Sequence, residues 1–446
     1  MTASCALTAR PAMLRASLLA FMLCVVGREA SAAMTDSWVS EYPRVRAAAA
    51  SACARQALPA CRRALLRLIG LLDGRIDTLY QLAKVEAVLG HSCASLEYLE
   101  HYARSRLDFG DPADALEFRA LRGLPRFRSL ERNYRAGLAP EGTHLELASM
   151  PAPDLIAEDL ALDSRDGARY VSSVHAGKVL RLGADGSWSE LLTAAQLSAW
   201  GIYGLAIDPA RERLWLSSTA GAVSPPYRPA DQGRSAILRV SLINLAVEQR
   251  YELRDGRAHA FGDMAIGAQG EVYIVDGVGG GIYRIGPEDN AQMETLLRPG
   301  ALRSPQTPVP MPGGRRLLVA DYSRGIAVID LRHRHNISWL PHPPDLALYG
   351  IDGLYLHGRT LIAIQNGTTP ERLLLLHLDS ALSRVTGWDV ALARAPGLGD
   401  PTHGVVRGNR FDFISNSGWD RVGENGAFSA QAPATNPGLW SISLSD

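Results

Sequence analysis

Six segments beyond residue 150 can be laid over one another with both ends in register. They are 158–173 (EDLALDSRDGARYVSS), 203–218 (YGLAIDPARERLWLSS), 262–276 (GDMAIGAQGEVYIVD), 306–321 (QTPVPMPGGRRLLVAD), 352–366 (DGLYLHGRTLIAIQN) and 402–416 (THGVVRGNRFDFISN). Each opens with a short apolar strand, turns, and ends a second strand in a small or polar residue. Their first residues fall 44 to 59 positions apart, while the first-to-last distance is always 14 or 15. Repetition at this period predicts a β-propeller of six blades with four strands each. Third strands are expected at 178–182, 237–242, 281–285, 326–331 and 373–378, and fourth strands follow, as at 247–253 and 384–390. The sixth blade supplies only three strands, ending with 439–444; its missing outer strand is 144–149 (HLELAS), which closes the ring and leaves no open edge.

Upstream the periodicity is helical. Asp77 is the expected N-cap of a helix over 78–89 with Gly90 after it, and a second helix over 95–107 is expected before Gly110. Together they have the size of a tetratricopeptide unit, which is too small to bury its own apolar face and must pack on the next domain. The fold class is therefore mainly β: a six-bladed β-propeller over 144–446, preceded by a small all-α, tetratricopeptide-like domain over 36–140 and attached beside the sixth blade. Residues 1–32 read as a signal peptide. Arg10 and Arg15 precede the apolar run 16–27, and Ala30-Ser31-Ala32 is a small-x-small cleavage site. The run is too short to span a bilayer. The expectation is a periplasmic or secreted protein with no membrane span after cleavage. Cys53, Cys61 and Cys93 then remain, allowing one disulfide, of which Cys53–Cys61 closes the shortest loop, or three free thiols.

Charge narrows the function. Lys+Arg 46 against Asp+Glu 46 leaves no net charge among 446 residues, which argues against nucleic acid as a partner. Only Lys84 and Lys178 are lysines, so Schiff-base and P-loop chemistry have little to work with. Gly-x-Ser-x-Gly, His-Glu-x-x-His and Cys-x-x-Cys are absent. What the ring does offer is a mouth. The six segment heads begin at one end of the central channel, and the tails Ser173, Ser218, Asp276, Asp321, Asn366 and Asn416 return to it as polar strand ends facing solvent. Long loops over 219–235 and 417–437 lie beside them. Glu158, Gln306 and Asp352 at one narrow mouth imply a cation, since neighbouring carboxylates repel. His175, His259, Tyr203 and His403 are further candidates for contacting a substrate. Asp263, one position past a head, is expected to face away by strand alternation.

On these heads, residues 150–446 resemble the senescence marker protein/gluconolactonase group of six-bladed propellers. The resemblance implies a divalent metal, usually calcium, held at the mouth by Glu158, Asp352 and Gln306, with Asp352 also a general base. Gln306 stands where that group has Asn and reaches one carbon further; Gly262 stands at a second Asn position and has no side chain. The implied function is a metal-dependent lactonase or esterase acting on a small-molecule substrate. The alternative is a non-catalytic exported scaffold that binds a protein partner or a small ligand through the helical domain and propeller face.

Overall fold

The computed structural model describes residues 38–72, 74–224, 227–333, 336–423, 426 and 435–444. The signal-peptide reading of 1–32 lies outside them, as do 424–425 and 427–434 of the 417–437 loop. Six four-stranded antiparallel sheets surround a central channel. The innermost strands are Ala157–Leu162, Gly201–Asp208, Phe261–Ile266, Pro305–Pro310, Ile351–His357 and Gly404–Arg407. The outer strand of blade six is Leu145–Ser149, paired with Gly438–Ser443, so the ring closes as its sequence requires.

Strand alternation explains why the ring holds. In blade four Leu318 and Ala320 join a core shared with blade five, while Leu317 and Val319 join one shared with blade three. In blade five Leu361 and Ala363 face blade four, and Ile362 and Ile364 face blade six. Every pair of neighbouring blades encloses such a core, so both faces of each sheet are buried.

The helical layer comprises α1 (Trp38–Ala54), α2 (Leu58–Leu71), α3 (Ile76–Val88), α4 (Ser92–Ser105) and α5 (Pro125–Gly137). A Cys53–Cys61 disulfide joins α1 to α2, and Cys93 is free and exposed. Asp77 is not the N-cap of α3. That position is Arg75, whose backbone precedes the first turn, and Asp77 sits inside the turn paired with the Arg75 guanidinium. Gly90 does follow the helix, in the left-handed conformation, whereas α4 ends on left-handed Arg106 well before Gly110.

The layer joins the chain at blade six but packs on blades four and five, at the end of the ring where the innermost strands begin. Ala347 and Tyr349 complete the core of α3, α4 and α5, and Arg75 lies 4.0 Å over the Tyr349 ring. Fully buried Arg372 of blade five donates from Nη1 to Ser105 O (2.8 Å) at the end of α4 and from Nε to Gln365 Oε1 (2.7 Å). Asp108 N donates to Thr369 O (2.6 Å), and Trp38 meets Trp339 edge-on at 5.5 Å. The apolar face that one helical repeat cannot bury alone is covered by these two blades.

Candidate active site

A register shift interrupts the head of five innermost strands: between Ala157 and Leu160, Ile202 and Leu205, Phe261 and Met264, Pro305 and Pro308, and Ile351 and Gly353. Such bulges break simple alternation, so successive residues can both reach the channel. This corrects the expectation for Asp263, which lines the mouth cavity instead of facing away. The narrow waist sets its own demands. A Cβ on Gly204 would lie 2.4 Å from Gly262 O, so adjacent blades approach too closely there for any side chain.

The strand tails also depart from expectation, because they are not solvent-facing ends. Ser218 Oγ accepts from Trp200 N (2.8 Å), Asp276 from Ala260 N (2.9 Å) and Asp321 from Arg303 N (2.8 Å). Ser173 Oγ donates to Leu155 O. Each thus ties a second strand to the linker entering its own blade, a buried clasp that repeats around the ring.

The mouth opens into a cavity of about 280 Å³ lined by Glu158, Tyr203, Gln306 and Asp352, with Asn366 and Trp419. Blades one, two, four and five bring the first four together. His175 and His259 are not in the lining. His175 Nδ1 donates to Val223 O (2.5 Å), tying blade one to the blade-two loop. His259 is buried between Asp276 (2.6 Å) and Asp255 (2.9 Å); burial alone would lower its pKa, but the two carboxylates raise it. Both hold loops by these hydrogen bonds.

His403 lies beneath the floor. Its Nδ1 donates to Glu158 O (2.9 Å), and its Nε2 faces Asp263 Oδ2 at 2.6 Å. A carbonyl at one nitrogen and a carboxylate close to the other favour the imidazolium form. Burial opposes that charge, but Asp263, Asp352 and Asp159 outweigh it and raise the pKa well above the usual histidine value. Thr307 Oγ1 lies within hydrogen-bond reach of both Asp263 Oδ2 (2.6 Å) and Asp352 O (2.8 Å). Asp263 also borders a wider cavity of about 570 Å³ at the opposite end, whose lining includes Asp159 and His403. The ion pair plugs the waist and divides the channel in two.

Burial raises the carboxyls of the channel above their ordinary values. Burial pushes Glu158 up to about 8, with Asp352 adding repulsion and His403 offsetting part of it. Burial likewise raises Asp352, again opposed by His403, and lifts Asp159 to about 7. Trp419 Nε1 donates to Glu158 Oε2, and Asn366 Nδ2 donates to Asp352 Oδ2 (2.7 Å). Tyr322 OH donates to Asn366 Oδ1 (3.1 Å) and fixes which way that amide points. The Tyr203 hydroxyl is also raised, by burial first and then by Glu158.

Among the described residues no three His, Cys, Asp or Glu side chains form a metal-holding group. With Asp263 paired to His403 and Asn366 to Asp352, the oxygen donors left in the lining include the Glu158 and Asp352 carboxyls and the Gln306 carboxamide. They are all hard oxygens and fit calcium, with waters completing its six to eight ligands.

No family model matches the sequence, and no curated protein does. Solved structures of similar shape include a gluconolactonase from Xanthomonas campestris, at 16% identity over 68% of this chain and 89% of that one, TM-score 0.47. Regucalcin, a calcium-binding protein from Agrobacterium tumefaciens, has 13% identity over 69% and 96%, TM-score 0.45. The PQQ-bound aldose sugar dehydrogenase of Streptomyces coelicolor has 14% identity over 68% and 99%, TM-score 0.47. Likenesses this distant leave the chemistry to be read from the site itself.

Two outcomes follow from the charges. Replacing His403 by Asn leaves Asp263 buried without its cation and should cost about 3–5 kcal/mol in urea unfolding. Adding Asp263→Asn should recover part of the loss, and simple additivity of the two single variants would refute the ion pair. Second, Glu158 titrates near its ordinary 4.5 in the unfolded chain and at about 8 in the folded one. Between those values the folded state holds the extra proton, so its contribution to stability falls as pH rises. Glu158→Gln should flatten that part of the stability–pH curve, and an unchanged curve would contradict the assignment.

Proposed function

We propose that this chain is an exported, divalent-metal-dependent hydrolase of the lactonase or esterase type that works in the mouth cavity. The observation that carries this reading is the convergence of Glu158, Gln306 and Asp352, from blades one, four and five, on one small enclosed space. Calcium held by these three would supply Lewis-acid polarisation of the substrate carbonyl. Asp352 is the general base. It takes a proton from the water whose oxygen bonds to the acyl carbon, and the acyl carbon–oxygen bond of the ester then breaks. The same proton passes to the departing alkoxide, leaving acid and alcohol and restoring the carboxylate. Asn366 donates to Oδ2 of that carboxylate, and we assign the reacting water to Oδ1. Trp419 fixes Glu158 in the same way from the blade-six loop.

Asp352→Asn should lower kcat for lactone or ester hydrolysis by about 10²–10⁴-fold while ligand binding survives. Calorimetry with calcium, repeated on Glu158→Gln, measures the metal separately. Full activity in the Asp352 variant, or no divalent-ion binding at millimolar concentration, would defeat the reading.

Export is supported by the leader-like residues 1–32 and by the Cys53–Cys61 disulfide, which suits an oxidising compartment. The mature chain should begin at Ala33, which intact-mass measurement of protein from the cell envelope or medium would show. Recovery of the chain from the cytosol with Met1 still attached would contradict export.

A further inference from the structure

The walls of the mouth cavity are as informative as its floor. Among the described residues no Arg, Lys or His lines it. The walls are aromatic and aliphatic instead, with Tyr203, Tyr227, Phe261, Val278 and Trp419 among them. Two of the polar side chains in the lining, Thr219 and Asn366, are committed to the protein, as is the Trp419 indole N–H. Thr219 Oγ1 bonds with Ser235 Oγ (2.7 Å) and reaches Phe261 O (3.1 Å). Asn366 is held by Asp352, Pro401 and Tyr322, and the Trp419 indole N–H by Glu158.

Gly262 contributes room. A Cβ there would meet nothing nearer than Val275 Cγ2 at 3.8 Å, which is ordinary contact, and its backbone is not in the left-handed region. Nothing local requires glycine at 262, in contrast to Gly204. The missing side chain leaves room in a largely apolar wall.

We infer that the substrate is an uncharged lactone or ester with a predominantly apolar body, and that anionic and polyhydroxylated esters are poor substrates. This deepens the hydrolase reading and rests on it. An anion would approach a floor that already holds Glu158 and Asp352, with no cationic side chain on the walls to pair with it. Calcium at the floor balances at most those two carboxylates and leaves the walls unchanged. Each hydroxyl of a sugar-like ring would leave water for walls that are mainly aromatic and aliphatic, whereas an alkyl body loses nothing by the same transfer. At about 280 Å³ the space suits a single small ring with a short chain.

The test uses the full mature chain with calcium present. One arm measures kcat/KM for δ-lactones with alkyl substituents of increasing length, for δ-gluconolactone, and for a lactone bearing a carboxylate. A second arm measures affinity for the matching lactams, which are not hydrolysed, by calorimetry. Both should rise with alkyl length, and the hydroxylated and anionic members should lag by about tenfold or more. Gly262→Asn, which the backbone accommodates, should narrow that gap by weakening the longest alkyl lactone and improving the hydroxylated one. Preference for δ-gluconolactone or the anionic lactone in the unaltered chain overturns the inference. Alkyl lactams that bind in the expected order while no lactone is hydrolysed would remove the hydrolase reading and support the ligand class. Lactams that fail to bind, or bind in the reverse order, would remove the ligand class itself.

Discussion

Closure of the ring by one strand sets the conditions for everything at the mouth. Leu145–Ser149 completes the sixth blade, and the six innermost strands are then forced around a circumference so short that Gly204 can carry no side chain beside Gly262 O. A regular strand would show the channel only every second residue. The bulges at five strand heads change that count and deliver two tiers of polar groups, Glu158 with Asp159 and Gln306 with Thr307 among them. The same closure removes water from these groups, and their burial is the first cause of every raised carboxyl value in the channel.

Much of this could be read from the residues alone, because a period of 44 to 59 residues leaves few architectures open. The blade heads, the closing strand and the meeting of Glu158, Gln306 and Asp352 at one cavity all follow from stacking the repeats. What escaped was whatever depended on departures from regularity. Asp263 was assigned to the wrong side because strict alternation ignores the bulge. Polar doublets at the heads, Glu158-Asp159 and Gln306-Thr307 among them, were the available sign. Trp419 lies in a long loop with no periodic register, and only coordinates place its indole on Glu158. Asn366 was visible as a strand tail, but its hold on Asp352 depends on a side-chain direction fixed by Tyr322. His175 and His259 were chosen for their chemistry and their place near strand ends. Both are taken up by loop-holding hydrogen bonds, the commoner use of a buried histidine.

The helical layer has a definite relation to this site. It rests on blades four and five, the blades that carry Gln306 and Asp352, and its contact passes through Arg372 to Gln365, the neighbour of Asn366. Gln365 Nε2 in turn donates to Ala347 O (2.9 Å) and Tyr349 O (2.6 Å), in the linker entering blade five. The clasp that other blades make with a serine or aspartate is made here by a glutamine tied to α4. Blade five is the one whose head bears the proposed base, and it is the blade most firmly buttressed from outside.

The two tiers of the channel differ in a way that bears on function. In the lower tier Asp263 faces an imidazolium 2.6 Å away, so charge there is balanced within the protein. In the upper tier Glu158 and Asp352 gain from the same imidazolium and remain raised above their ordinary values, which means one cation does not satisfy both tiers. A structural role would favour replacing such a pair by neutral side chains, since buried acids without a full complement of countercharge weaken the fold. Their position at the floor of a largely apolar cavity, each held by one neutral N–H donor from Trp419 or Asn366, is the local breach of consistency on which the proposed hydrolase reading rests.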